Sequence, residues 1–366
     1  MELFSWLTFA VVLADLVRQR RRPDWPLLVP IVILVVSVLI SLLINPALKP
    51  FLDQFGFMRW VFLFYAYYWA LQVVWEDAFV MRLLTLWNVM LAAAGAYALA
   101  QCFFAVDPIH PGIQVVQFER WGEYKETGYF AMKATGFFSM SLTYAYVHGQ
   151  SLLAVGRPSF RTWLRPWAWG ARLLAVGGIF ASMSRGAWIG LVASALISLV
   201  ARLRKRWWVV IGVAVAGIAA LILSHIHLDH SSVTRFDIWR AYWAMFLDHP
   251  FFGIGLLQGD KLLPEYYQRL GIVQPFVSHA HNVYLQWLAG AGVFAFAAYV
   301  WLCASMLRRA WSIRLHSPWG WSLLLAQLFV HIGAFTECNF FDAEVLHMTV
   351  FLWALTLVQE KITNKL

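Results

Sequence analysis

An all-α fold is what this sequence predicts: a polytopic bundle of transmembrane helices, about eleven spans within a range of about ten to twelve. Three observations predict it. Hydrophobic residues make up 61% of the 366 and charged residues only 13%, with a mean hydropathy of +0.65; a soluble domain carries roughly a quarter charged residues. The apolar residues come in helix-length runs, not in alternating ones, and a helix in lipid satisfies its own backbone. The basic residues, which give a formal charge of +9, stand in short clusters between those runs. That pattern orients membrane helices, so the charge gives no reason to expect nucleic acid as a partner.

In chain order the apolar runs fall near 1–17, 26–45, 57–75, 81–106, 136–155, 167–183, 187–201, 207–224, 283–306, 319–336 and 344–359. The first reads as a span and not as a cleavable leader, since Glu2 stands where a leader is basic and no small-residue cleavage site follows. It is short and contains Asp15. The chain, 1–366, reads as a single membrane domain with no repeat, no low-complexity tract and no soluble domain. Cys102, Cys303 and Cys338 lie in or beside apolar runs without CxxC spacing, so neither a disulfide framework nor a thiolate metal site is expected.

Orientation follows from the basic clusters. Arg18/Arg20/Arg21/Arg22, Arg157/Arg161/Arg165, Arg202/Arg204/Lys205/Arg206, Arg308/Arg309/Arg314 and Lys361/Lys365 all read as cytoplasmic. They occupy every second loop, apart from the mixed turn Glu76 to Arg82, which puts the N-terminus outside and the C-terminus inside. The run from Trp167 to Ala201 tests this scheme. As one helix it would reach roughly 50 Å against a hydrocarbon core of about 30 Å, and both its flanks are basic. It must therefore cross twice, reversing as a hairpin near Ser182-Met-Ser-Arg-Gly186 with Arg185 at the outer face. The loops 107–135 and 225–281 also fall outside, so Arg185, Arg235 and His281 converge on one side of the membrane. The 107–135 loop holds Asp107, His110, Glu119, Arg120, Glu123, Lys125, Glu126 and Lys133, mixed charge that usually marks a solvated surface.

The loop from His225 to His281 is the one long segment not dominated by apolar residues, and such loops are uncommon without a function. Within it, 235–248 reads as an amphipathic helix with Phe236, Trp239, Trp243 and Phe246/Leu247 at helical spacing and Thr234 or Ser232 as N-cap. Such a helix lies in the membrane interface, its apolar face toward lipid. Pro250, Gly253 and Gly255 then end it. An interfacial helix without any chemistry is the competing reading for most of these residues.

Arg185 is the strongest single candidate. An arginine in an apolar hairpin is expensive and usually functional, and its planar fork suits phosphate oxygens. The competing reading has it reach the interface or pair with Glu337. Arg235, read as the start of the loop helix, is a cation where a helix dislikes one, which suggests that an anion holds it there. Arg240 is a second candidate one turn on. His281 opens a helix at the membrane edge; an imidazole can take a proton from a hydroxyl, or can merely cap the helix. The HxH pairs His225/His227 and His279/His281, with Asp229 and His230 nearby, invite a metal. In a helix, however, the two rings of an HxH point apart and no third ligand is spaced for it, so no metal is expected. Paired glycosidase carboxylates and a phosphate-binding glycine loop are absent as patterns, which argues against hydrolysis by paired acids and against ATP use.

Ser182-Met-Ser-Arg-Gly-Ala-Trp-Ile-Gly-Leu191, Arg235-Phe-Asp-Ile-Trp239 followed by His249-Pro-Phe-Phe-Gly-Ile-Gly255, and His279-Ala-His-Asn-Val-Tyr-Leu-Gln286 occur in this order. Together they resemble the O-antigen ligase and polysaccharide polymerase family, with SRG-x-x-x-GL, R-x-x-x-W … P-x-x-G-x-G and HNxYLQ segments. Lys133-Ala-Thr-Gly-Phe-Phe-Ser139 resembles a further block, and the resemblance runs over about 130–345. It implies a polytopic glycosyltransferase of the GT-C type in the bacterial cytoplasmic membrane, with its active site facing outward and no cofactor. The implied donor is a glycan on undecaprenyl diphosphate. The implied acceptor is a glycan, a lipid A core or another hydroxyl, as in lipopolysaccharide assembly. By motif, Arg185 and Arg235 would bind the diphosphate and His281 would activate the acceptor. Lys133, Trp239, Arg240, His279, Asn282 and Tyr284 would contact substrate.

Two residues depart from that pattern. Gly290-Ala-Gly292 stands where the family often has Glu-x-Gly, so any help an acid gives the histidine must come from elsewhere. Lys133 stands where an arginine is common, which keeps a charge but loses the bidentate fork. A ligase and a polymerase of lipid-linked repeats share these motifs. The rival from another class is a lipid-glycan transporter, which predicts inverted repeats and interrupted helices at the midplane.

Overall fold

The computed structural model describes residues 2–20, 22–45, 48–104, 107–109, 133–155, 165–201, 230–273 and 276–365. Among them every regular element is helical. The helices are α1 (Glu2–Arg18), α2 (Leu28–Ile44), α3 (Phe51–Phe55), α4 (Trp60–Val74), α5 (Asp77–Phe104), α6 (Ser141–Ala154) and α7 (Arg165–Ala181). They continue with α8 (Arg185–Val200), α9 (His230–Asp248), α10 (Gly259–Leu270), α11 (Val283–Ile313), α12 (Gly320–Gly333) and α13 (Ala343–Thr363). The expected span at 207–224 lies outside the described residues, as do His110, the charges of 119–126, His225, His227 and Asp229.

The other ten apolar runs are all helices, so the all-helical membrane fold stands. The number of crossings does not follow with it. Three helices, 78–104, 283–313 and 343–363, are long and apolar enough to span a bilayer; 28–44, 185–200 and 320–333 are apolar but shorter. Helices of 14 to 17 residues reach only about 21–26 Å, below the ~30 Å of a hydrocarbon core. The core that joins the helices is aromatic as well as aliphatic: Trp60, Phe64, Tyr299, Phe340 and Trp353 are buried together.

The chain breaks where the sequence requires it, at Ser182 to Ser184 between α7 and α8. Met183 takes a left-handed φ of 54° there. The two helices do not form the expected hairpin. Instead α7 lies along α5 and α8 along α12. Close approach explains both pairings. A methyl group at Gly95 of α5 would come within 2.5 Å of the Leu174 backbone, and one at Gly190 of α8 within 2.8 Å of the Phe329 carbonyl.

α11 corrects the expected span at 283–306. Its 31 residues would reach about 46 Å if straight, but Gly292 interrupts it with φ 77° and ψ −176°. Residues 283–291 form a short segment, and 293–313 form a rod of about 31 Å, the length of a hydrocarbon core. The loop after α9 fills the break. Val293 N donates to Pro250 O (2.8 Å) and Ile254 N to Ala289 O (2.9 Å), so backbone groups freed by the interruption keep partners. Side chains of α2 hold the insert: Ser41 Oγ donates to Gly290 O (2.9 Å) and Asn45 Nδ2 to Gly253 O (2.9 Å).

α9 also differs from expectation. It starts at His230, so Thr234 and Arg235 lie inside it and neither caps it. It is not polar on one side and apolar on the other. Ile238, Ala241, Tyr242 and Met245 are buried against Ile254, Leu263, Tyr267 and Ala289, while Phe236, Trp243 and Leu247 on another face are exposed. α10 is the strongly amphipathic helix of this loop, burying Leu263, Tyr266 and Tyr267 and exposing Lys261, Glu265 and Gln268.

At the opposite end of the bundle, Asp24 accepts from Tyr68 OH (2.8 Å) and Lys361 Nζ (2.6 Å), and Arg309 pairs with Glu360. These contacts tie the α1–α2 connection to α4 and α13, and α11 to α13.

Candidate active site

His281 sits just before α11 in a left-handed conformation, φ 47°, which a non-glycine residue holds only when its surroundings enforce it. Three contacts enforce it. Val283 N donates to Ala334 O (2.9 Å), Asn282 Oδ1 caps α11 by accepting from Leu285 N (3.0 Å), and Asn282 Nδ2 donates to Phe335 O (2.9 Å). The turn before α11 is thereby stitched to the turn after α12, and that second turn carries Glu337.

Glu337 is the residue around which the site closes. Its Oε1 accepts from Arg235 Nη2 at 2.8 Å, and its Oε2 lies 3.5 Å from His281 Nδ1. Arg235 Nη1 donates to Thr336 O (2.9 Å), so the guanidinium grips two consecutive residues of that turn. Glu337 is 8% exposed at its side chain and Arg235 25%. Burial opposes ionisation of the Glu337 carboxyl, but the His281 hydrogen bond and the Arg235 charge outweigh it and hold the group below the ordinary glutamate value. The expected anion beside Arg235 is therefore found within the protein. Glu337 pairs with Arg235 and His281, where the sequence had offered it as a partner for Arg185.

The other nitrogen of His281, Nε2, lies 3.3 Å from Ser278 Oγ, and the His279 ring packs 4.2 Å from the His281 ring. In the neutral tautomer that keeps its proton on Nδ1 toward Glu337, Nε2 would accept a hydrogen bond from that hydroxyl. The Ser278 hydroxyl thus lies on the edge of the imidazole turned away from Glu337. His279 itself stays exposed.

α9 supplies the wall. Trp239 Nε1 donates to Ala280 O (2.9 Å) and Tyr242 OH to Ser278 O (3.3 Å), fixing the strand-like approach to His281 from the side that also presents Arg235. Residues 235, 239 and 242 share this face at helical spacing. Arg240 does not: at 100° per residue it stands about 140° round the helix from Arg235. Tyr284 is turned to packing, its hydroxyl on His331 O (3.1 Å) and its ring 4.6 Å from that of Phe335. The structure therefore brings Arg235, Trp239, His279, His281 and Asn282 together, and leaves Tyr284 behind them and Arg240 elsewhere.

Arg185 starts α8 and is exposed. Gly186 after it fits against the site: a methyl group there would lie 2.6 Å from Tyr146 OH, 2.9 Å from Thr336 Oγ1 and 3.2 Å from Glu337 Cγ. The α8 start is thus in contact with the Glu337 turn. The segment that follows Lys133 is held against the end of α7 and against α5. Ala134 N donates to Ala181 O (3.0 Å), and Gln101 Oε1 accepts from Thr135 N (3.1 Å) and Gly136 N (2.8 Å). The chain segments that carry Lys133 and Arg185 therefore meet at the α7–α8 break, and the start of α8 reaches the turn where Arg235, His281 and Glu337 come together. Among the described residues, no three His, Cys, Asp or Glu side chains come together as a metal site.

Glu337, Thr336 and Ser278 were not singled out as site residues by sequence. Glu337 had one usable signal, for it is the single acidic residue between Glu265 and Asp342, placed where an apolar run ends. Glu337 also meets the requirement left open by Gly290-Ala-Gly292, because it delivers an acid to His281 from a different segment.

A family model described as O-antigen ligase matches residues 170–300, about a third of the chain, and includes Arg185, Arg235 and His281. It supports the family resemblance read from the motifs. No curated protein matches the chain.

Proposed function

We propose that this chain, similar over 170–300 to the O-antigen ligase family, is a membrane glycosyltransferase. It transfers a glycan from a polyprenyl (undecaprenyl) diphosphate to an acceptor hydroxyl at the outer face of the cytoplasmic membrane. The observation that carries the proposal is the convergence of Arg235, Glu337 and His281 beside the α8 start that bears Arg185. In the reaction, the acceptor oxygen attacks the anomeric carbon. The carbon–oxygen bond to the diphosphate breaks, with its electron pair leaving on the diphosphate, through a transition state of oxocarbenium character. His281 Nε2 takes the hydroxyl proton, and Glu337 stabilises the resulting imidazolium through Nδ1. Arg235 spends two of its five N–H donors on Thr336 and Glu337, leaving three for phosphate oxygens. Arg185 and Lys133 add charge on the same side, which is electrostatic work that a metal does in other transferases.

The test is the surface-glycan profile of a strain lacking this gene and complemented with wild type, Arg185→Ala or His281→Ala. Loss of one transition-state donor should lower turnover on the order of a hundredfold, enough to abolish long surface glycan. Accumulation of full-length lipid-linked polymer identifies a ligase, with a lipid A core or other hydroxyl as acceptor; accumulation of single lipid-linked repeats identifies a polymerase. Full complementation by both variants overturns the proposal and favours a lipid-glycan transporter.

A further inference from the structure

The face of α9 turned away from the site has an order of its own. Val233, Phe236, Trp243 and Leu247 are exposed, 47% to 59% in relative area, and recur every three or four residues with Arg240 among them. Arg240 is exposed and has no ion pair or hydrogen bond with the described residues. An exposed stripe of this kind, apolar and carrying one arginine, is unfavourable against water.

The stripe is continuous with the lipid side of a span. Beyond Leu247, the exposed Phe251 ring lies 6.2 Å from that of Phe294, stacked on it. Phe294 begins an exposed line along α11 through Ala297, Trp301, Ala304, Arg308 and Trp311. That line ends in an arginine and a tryptophan, which mark a membrane boundary. From Phe294 to Arg308 is about 21 Å of helix, so a hydrocarbon core of ~30 Å counted from Arg308 ends about 9 Å beyond Phe294. Through Phe251 on Phe294, the Leu247 end of the α9 stripe joins this line at its site-side end.

We propose that this face of α9 rests in the bilayer leaflet at the site end, with Arg240 holding the phosphate of a phospholipid headgroup. Phe236, Trp243 and Leu247 enter the headgroup–acyl boundary, and the Arg240 guanidinium pairs with phosphate oxygens above them. Arg235 projects from the opposite side of the same helix, so the lipid contact sets the height of Arg235 over the membrane. The inference needs only that the protein resides in a bilayer; it is independent of the transferase reaction.

The experiment uses the full chain in nanodiscs of phosphatidylglycerol or phosphatidylcholine. The native cysteines are buried and free, so a spin label at Leu247→Cys reports immersion from its collisions with oxygen and with a water-soluble nickel chelate. Oxygen dominates if the face lies in the leaflet; dominance of the chelate overturns the proposal. Native mass spectrometry with phosphatidylglycerol as the probe compares wild type, Arg240→Gln and a control, Lys261→Gln on exposed α10. Loss of retention by about fivefold in Arg240→Gln alone is expected, the effect of one basic residue at an anionic surface. Equal retention in all three overturns the lipid contact. Two further outcomes also overturn it: loss of undecaprenyl diphosphate binding in Arg240→Gln, which would make Arg240 a donor ligand, and a short distance between two Leu247→Cys labels, which would make the face an interface between copies.

Discussion

A carboxylate with one oxygen on a guanidinium and the other on an imidazole can position both groups, and Glu337 does this. Its amide isostere keeps the shape and loses the charge, so Glu337→Gln separates position from electrostatics. The expected result is a fall in turnover of about 10- to 100-fold, the range for outer partners that orient functional histidines, with less change in donor binding than Arg235→Ala gives. A merely structural Glu337 would leave turnover per folded molecule intact. The same group makes stability depend on pH. Its folded-state value lies below the ordinary one, so its contribution is full above the ordinary glutamate range and is lost as pH falls through the folded value. Thermal midpoints of wild type and Glu337→Gln in detergent should therefore differ most at neutral pH and converge in acid. A gap that persists unchanged in acid would count against this assignment.

At the scale of elements, the break in α11 decides where His281 stands. The residues before Gly292 form a short segment whose start carries the histidine, while those after it span the membrane. Gly292 has a left-handed φ, and a methyl group there would come within 2.2 Å of Phe251 O, which is backbone and cannot swing away. Gly292→Ala is expected to destabilise the protein by about 2 kcal/mol or more, from the backbone conformation and the overpacking together. A detergent-solubilised variant should show a lowered thermal midpoint and reduced activity. An unchanged midpoint would mean that the Pro250–Ile254 insert is not held in the break. The same insert explains two motifs at once: Pro250, Gly253 and Gly255 after α9 let the chain enter the helix, and Gly290-Ala-Gly292 makes room for it.

The whole molecule has two polar ends of different character. One gathers Lys133, Arg185, Arg235, His281 and Glu337; the other gathers Asp24, Tyr68, Arg309, Glu360 and Lys361. If the first faces away from the cytoplasm, as the basic clusters predict, the two ends should differ in reagent access. Val273, fully exposed beyond α10, and Leu315, 69% exposed after α11, lie at opposite ends. In intact cells a membrane-impermeant thiol reagent should label Val273→Cys and spare Leu315→Cys until the membrane is permeabilised. The reverse order would invert the orientation and place the site on the cytoplasmic side.

By itself the sequence determined that the chain is helical, that it belongs in lipid, where most helices lie, and which family its motifs resemble. Composition and run length suffice for these, since a backbone in hydrocarbon has no other local solution. The break at Ser182 to Ser184 was legible because length forbids a single helix there. Tertiary structure decided the rest. It parted α7 from α8, because close approach at Gly95 and Gly190 favours other neighbours. It interrupted α11, because the conformation of one glycine depends on a loop some forty residues earlier. It gave Arg235 and His281 a common carboxylate from a turn that no spacing links to either. It also decided that Arg240 stands on the exposed side of α9, because burial of Ile238, Ala241, Tyr242 and Met245 settles which face of that helix turns inward. Periodicity and composition are local properties of a chain; a site assembled from five segments is not.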